Sequence, residues 1–200
     1  MKSPAFIFGK CSLMIVLLTA AFLTACSDKV DESDIYTFKG ETITSYLEKS
    51  ENFTDFAYIL SRVKLSKRSE STIAQLLSAR GNYTVFAPTN DAVQHYLDSV
   101  YQTTDYDITQ IPDSVADYIA RNAIIDCEDL NAYQTTDFNV GTLERTNMDD
   151  RYITVDFDTI NGGNLATIIN NSARIVLPDI EVYNGYIHGV NQVLSLSRAT

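Results

Sequence analysis

His95 and His188, with Cys11, Cys26 and Cys127, are the side chains of this 200-residue sequence best suited to nucleophilic or general-base work near neutral pH. Such catalysis needs an imidazole placed beside a hydroxyl or thiol. His188 stands in an apolar run, Tyr186-Ile187-His188-Gly189-Val190, which marks it for burial with its N–H donated to a backbone carbonyl. His95 falls on a helix and reads as surface or rim. No glycine-rich phosphate loop and no nucleophile elbow occurs in the chain. Zinc sites draw most of their ligands from Cys and His, and this few of either leaves almost no set to choose from. Asp149-Asp150 and Asp156-Phe157-Asp158 offer the hard oxygens calcium takes. Their spacing matches no calcium loop, and acidic turns are ordinarily solvated. The expectation is a chain with no catalytic residues, no cofactor and no metal.

Binding is the remaining chemistry. There are twelve tyrosines and no tryptophan, so flat stacking on a ligand falls to tyrosine. Tyr101, Tyr106, Tyr183 and Tyr186 lie in or near expected loops or turns and are the candidate ligand contacts. The plainer reading of each is a half-buried structural ring. Lys and Arg total 15 against 26 Asp and Glu, a formal charge of −11. Nucleic-acid binding draws most of its free energy from cations neutralising phosphates, so that partner is excluded. With 45% hydrophobic and 20% charged residues the chain has the material for one core.

The N-terminus reads as an address. Lys2 and Lys10 precede an almost uninterrupted apolar run from Cys11 to Ala25. About 15 residues suit a signal-peptide core and fall short of the roughly 20 needed to span a bilayer. Leu23-Thr24-Ala25-Cys26 resembles a bacterial lipobox. Residues 1–25 are therefore expected to be a lipoprotein signal peptide, with Cys26 carrying palmitate-type acyl chains that anchor the protein in a membrane. Residues 26–36 form an acidic, flexible tether. Ser27 after the cysteine points to the outer membrane, and the acidic stretch resembles the export signal of surface lipoproteins in the Bacteroidota. Cleavage would remove two positive charges and no negative ones, moving the net charge from −11 to −13. It would leave Cys127 as the one free thiol, a buried apolar filler following Ile124-Ile125.

Residues 37–200 read as a single domain. Ile43, Tyr46 and Leu47, then Phe53, Phe56, Ala57, Leu60 and Val63, then Ile73, Leu76 and Leu77 recur at helical spacing. Ser61 to Ser69 is a basic, polar surface stretch. Tyr83 to Ala87 reads as a strand stopped by Pro88, with Thr89 or Asn90 capping a helix whose apolar face is Val93, Tyr96, Leu97 and Val100. Tyr101 to Gln110 reads as a loop, and Pro112 opens a helix carrying Val115, Tyr118 and Ile119. Strands are expected at Ala132–Thr136, Gly141–Arg145, Tyr152–Phe157, Arg174–Leu177, Ile180–Tyr183 and Val190–Leu196. Asn161-Gly162-Gly163-Asn164, Asn170-Asn171 and Asn184-Gly185 supply turns. Helices first and antiparallel strands later make an α+β domain.

Two segments carry more than periodicity. Tyr83-Thr84-Val85-Phe86-Ala87-Pro88-Thr89-Asn90-Asp91-Ala92 resembles the first signature of fasciclin (FAS1) domains. The stretch from Ile180 to Leu194, with Asn184-Gly185 and His188, resembles the second. The resemblance covers roughly Thr37 to Ser197. It implies a fasciclin-like fold, N-terminal helices packed on a mostly antiparallel β-sandwich or wedge. Thr84, Phe86, Pro88, Thr89, Asn90, Asp91, Asn184, Gly185 and His188 would serve as structural signature positions. A Tyr-His pair that the family associates with adhesion to partners such as integrins aligns with Asn122-Ala123, so the histidine is missing.

The implied function is adhesion, a cell-envelope lipoprotein making surface protein or glycan contacts without catalysis. The alternative is an accessory surface lipoprotein of an outer-membrane glycan or peptide uptake complex. A third possibility is a structural envelope protein confined to the periplasm. Asp98-Ser99-Val100, Asp113-Ser114-Val115 and Asp158-Thr159-Ile160 resemble the short O-glycosylation motif of Bacteroidota, making Ser99, Ser114 and Thr159 candidate modification sites.

Overall fold

The computed structural model describes residues 40–160 and 164–194. The expectations for Cys26, residues 1–36 and the turn at Asn161-Gly162-Gly163 fall outside them.

The helices form where the apolar spacing places them: α1 (Ile43–Lys49), α2 (Thr54–Arg62), α3 (Ile73–Leu77), α4 (Asn90–Tyr101) and α5 (Asp113–Asn122). Local chemistry starts them. Thr72 and Gln75 make a reciprocal capping box at α3, and Thr89 rather than Asn90 caps α4, its Oγ1 accepting the Ala92 N–H at 3.3 Å. Pro112 sits at the N-cap of α5. The buried faces hold the expected residues, Phe53, Phe56, Leu60, Leu77, Leu97 and Ile119 among them. Val100, placed on the apolar face by spacing, is 47% exposed. The expected loop from Tyr101 to Gln110 includes a 3-10 turn, Ile108–Gln110.

Seven strands form one sheet in the order β2-β1-β7-β6-β5-β4-β3: β1 (Tyr83–Pro88), β2 (Ile124–Asp126), β3 (Gly141–Thr146), β4 (Tyr152–Ile160), β5 (Asn164–Ile169), β6 (Ala173–Val182) and β7 (Gly185–Val190). All neighbours are antiparallel except β1 and β7, which run parallel from Tyr83↔Gly185 to Pro88↔Val190. The sheet curls until the turn after β3 reaches β2, where the Met148 N–H donates to the Ile124 carbonyl at 2.9 Å. One core lies between the helices and β1–β7; the second, with Phe86, Cys127, Phe138 and Ile153, lies under residues 127–138 and β3–β6.

Four expectations need correction. Ala132–Thr136 is no strand: it is loop ending in the 3-10 turn Thr135–Asp137, strapped down by side chains. The strand expected at Val190–Leu196 lies earlier, at β7, because its partner is β1, about a hundred residues away, and spacing carries no trace of that pairing. Leu165 to Ile169, bracketed by turn residues, is β5, and Asn164 opens that strand instead of belonging to the turn. Arg174–Leu177 and Ile180–Tyr183 are one strand, β6, interrupted where its register shifts around Pro178 and Asp179. Pro178 has no N–H for the ladder and Asp179 takes φ +53°, so the strand bulges rather than ends.

Candidate functional site

Residues 127–138 have no ladder partner, so their buried backbone groups must find others. Asn82, just ahead of β1, and side chains from β1, β6 and β7 supply several of them. Asn82 Oδ1 accepts the Ala132 N–H at 3.1 Å, while its Nδ2 donates to the Leu130 carbonyl. Thr84 Oγ1 accepts the Tyr133 N–H at 2.8 Å. His188 Nε2 donates to the Tyr133 carbonyl at 2.9 Å and its Nδ1 accepts the Asp179 N–H at 3.2 Å, an arrangement that assigns the tautomer. Asp179 in turn accepts both the N–H and the hydroxyl of Thr135.

His188 is fully buried, its ring 5.5 Å from that of Phe86, and burial holds its pKa below the ordinary 6.5. With both nitrogens engaged by backbone, it has no lone pair to offer a substrate. His95 is exposed on α4. Cys127 is buried beside Thr84 Oγ1 at 3.5 Å, and burial pushes its thiol pKa up, away from nucleophilic thiolate.

The other signature residues are similarly committed. Asn184 Oδ1 accepts the Ile43 N–H at 2.9 Å and its Nδ2 donates to the carbonyls of Leu77 and Ala79 at 2.7 and 2.9 Å, locking the β6–β7 turn to α1 and to the end of α3. Gly185 has φ +146°, and a Cβ there would lie 1.8 Å from the Tyr83 carbonyl oxygen. Asn90 accepts the Asp55 N–H at 3.1 Å and donates to the Glu51 carbonyl at 2.8 Å, tying α4 to the start of α2. Pro88 closes β1 opposite Val190. Asp91 is exposed in the first turn of α4, favourably placed against the helix dipole. Asn122 and Ala123 are buried, and Asn122 accepts from Asn147 Nδ2 at 3.2 Å.

Two clefts and a half-buried tyrosine pair are not consumed by these straps. Above the strapped segment opens a polar cleft of about 530 Å³, lined in part by Asn131, Gln134, Asp137, Glu144 and Tyr186. On its wall the Tyr133 hydroxyl is buried near the β3 backbone at Glu144 and Arg145 without closing a hydrogen bond.

Elsewhere Tyr101 and Tyr106 stack with ring centroids 4.4 Å apart and 16° between planes. Asp98 builds that pair: its carboxylate accepts the N–H groups of Tyr106 and Asp105 at 2.8 and 3.2 Å, and these bonds hold its pKa below the usual carboxylate value. The four candidate tyrosines thus divide, Tyr101 with Tyr106, Tyr186 in the cleft, and Tyr183 46% exposed on the β6–β7 turn. Ser99, Ser114 and Thr159 are exposed on α4, α5 and β4. Asp149 pairs with Arg151 at 3.0 Å, and among the described residues no group of three or more His, Cys, Asp or Glu gathers around a metal-sized point.

The feature spacing did not reveal is a basic cavity of about 440 Å³, where Arg62, Lys64 and Lys67 meet Asp113, Asp117 and Arg121 of α5. The basic stretch from Ser61 to Ser69 was its visible half; α5 supplies the rest.

The family described as the Fasciclin domain matches residues 51–196. Among solved structures, a FAS1 domain pair from the insect cell adhesion molecule fasciclin I is similar over 77% of this chain and 50% of its own, at 18% identity and a TM-score of 0.55. The chain thus spans half the length of that two-domain structure, and the likeness is one of fold. Among curated proteins there is no match.

Proposed function

Because the chain belongs to the fasciclin domain family, a module associated with adhesion and binding, we propose that it is a lipid-anchored cell-envelope protein that holds a surface protein or glycan partner without chemistry. The observation that carries this reading is the use made of His188. The buried imidazole has both nitrogens bound to backbone, the buried Cys127 has a raised pKa, and the polar signature side chains from Thr84 to Asn184 are spent on straps and turns. What the fold leaves for recognition in this reading is the cleft beside Tyr186 and the half-buried Tyr101–Tyr106 stack. The lipobox-like Leu23-Thr24-Ala25-Cys26 supports anchoring through Cys26 and, with the acidic residues after it, display at the outer membrane.

The polar cleft also favours a second reading. Its amides, carboxylates and tyrosine suit saccharide hydroxyls, as an accessory lipoprotein of an outer-membrane glycan uptake complex would need.

Crosslinking on intact cells, with a tag after Thr200, tests both. Adhesins, matrix or surface polymers among the captured partners support adhesion; an outer-membrane transporter supports the uptake role. Capture of periplasmic partners alone overturns surface display. In the same cells labelling with a palmitate analogue is expected to mark the wild-type protein and not Cys26→Ser, and equal labelling of the two, or labelling of neither, would overturn the anchor.

A further inference from the structure

Arg62, Lys64, Lys67 and Arg68 crowd one short stretch of a chain whose net charge is −11. Folding brings α5 against them. Arg121 Nε pairs with Asp117 at 2.7 Å while its Nη2 donates to the carbonyls of Lys64 and Leu65 at 2.8 and 3.1 Å. Arg62 Nη2 pairs with Asp113 at 2.8 Å and its Nη1 donates to the Ile111 carbonyl at 3.2 Å. These bonds fix both guanidinium groups as walls rather than leaving them as mobile surface charges. The cavity of about 440 Å³ that they enclose has Val63 and Ala116, both buried, in its lining, with Lys67 contributing a further cation. Lys67 and Arg68 are exposed and have no acidic partner among the described residues.

We propose that this cavity binds an acidic saccharide, one bearing uronate or sulfate groups. The inference names a ligand class for the binding role above and rests on that reading. Lys67 and the unused guanidinium edges of Arg62 and Arg121 meet the acid group, as charge-assisted donors do, and the exposed Arg68 follows Lys67 outside the lining. Asp113 and Asp117 decide the class. An acidic peptide side chain presents acceptors alone and is repelled by two carboxylates in the lining, and a phosphate ion meets the same repulsion with few hydroxyl donors to offset it. A sugar brings hydroxyl donors that those carboxylates accept. The acidic remainder of the molecule disfavours a polyanion everywhere else, which confines it to this cavity.

Calorimetry with the purified protein at low salt tests the site, using tetragalacturonate, its methyl ester, a polyglutamate peptide of equal charge and inorganic phosphate. Tetragalacturonate is expected to bind, and the methyl ester to bind at least about ten-fold more weakly. Lys67→Glu with Arg68→Glu, both exposed and outside the core, should cost at least about ten-fold with an unchanged thermal melt. Asp113→Ala is the discriminating variant. It should weaken tetragalacturonate, whereas a site for bare anions would bind more tightly once that negative charge is gone. Tighter binding by Asp113→Ala, or polyglutamate or phosphate binding as well as tetragalacturonate, overturns the proposal, as does no binding. If cells still capture a surface partner when tetragalacturonate fails to bind, this site falls while the function above stands; if both fail, both fall.

Discussion

His188 sets the residue scale. An imidazole in an apolar run is bivalent, and here each nitrogen meets one backbone group of a different segment, the Tyr133 carbonyl and the Asp179 N–H. One side chain thereby holds the strapped loop to β7 and the β6 bulge to both. Burial lowers its pKa from 6.5, so the folded state binds fewer protons than the unfolded state as pH falls through about 6.5. Stability is therefore full at neutral pH and declines on acidification, levelling off once the pH drops below the folded value. Replacing His188 by Gln should cost about 1–3 kcal/mol at pH 7, since one buried backbone partner loses its bond. It should also flatten the stability profile on the acid side of about pH 6.5, the window opened by the lowered imidazole pKa. Urea denaturation across that range measures both; an unchanged slope in the variant would show that another group carries the dependence.

At the scale of elements, the β6–β7 turn couples sheet to helices. Asn184 reaches the α1 N-terminus and two carbonyls at the end of α3, while Gly185 lies against the Tyr83 carbonyl where β7 begins its parallel pairing with β1. Gly185→Ala combines a left-handed backbone with a 1.8 Å clash that only separation of the two strands relieves. We expect a loss of at least about 3 kcal/mol, measured as a large drop in Tm, or no folded protein. A drop of less than about 1 kcal/mol would mean that the parallel pair is not needed for the fold. The helices were legible from periodicity because their faces are local. Thr89 announced one of their starts in the same way; the Thr72–Gln75 capping box is as local but was not singled out from the sequence. β5 was equally legible in retrospect, six residues that follow Asn-Gly-Gly in the sequence and end at the Asn170-Asn171 turn, whose φ values are +50° and +60°. The segment 132–136 misled because a β-branched, aromatic composition describes burial against a sheet, and a strapped loop satisfies that equally well.

At the scale of the molecule, the two cores meet across β1, whose six residues are all buried; Val85 belongs to one core and Phe86 to the other. They are therefore expected to open together. Cys127 reports on this, being buried in the second core with a thiol pKa raised by that burial. Alkylation at Cys127, followed by mass spectrometry of its peptide, should be at least about a hundred-fold slower in native buffer than in urea, and should accelerate at the denaturant midpoint of the global transition. Labelling well before that midpoint would show that residues 127–138 lift off alone. By itself the amino-acid order determined what depends on neighbours in sequence: the helix faces, the cap at Thr89, the Asn-Gly turn and the structural character of the two signatures. Tertiary structure alone decided the parallel β1–β7 pair, the strapping of the 130s by Thr84 and His188, and the meeting of Arg62 and Lys67 with Asp113 and Arg121. Each of these joins groups tens of residues apart, and such pairings follow from how burial and hydrogen bonding are satisfied over the whole chain at once, which no local spacing records.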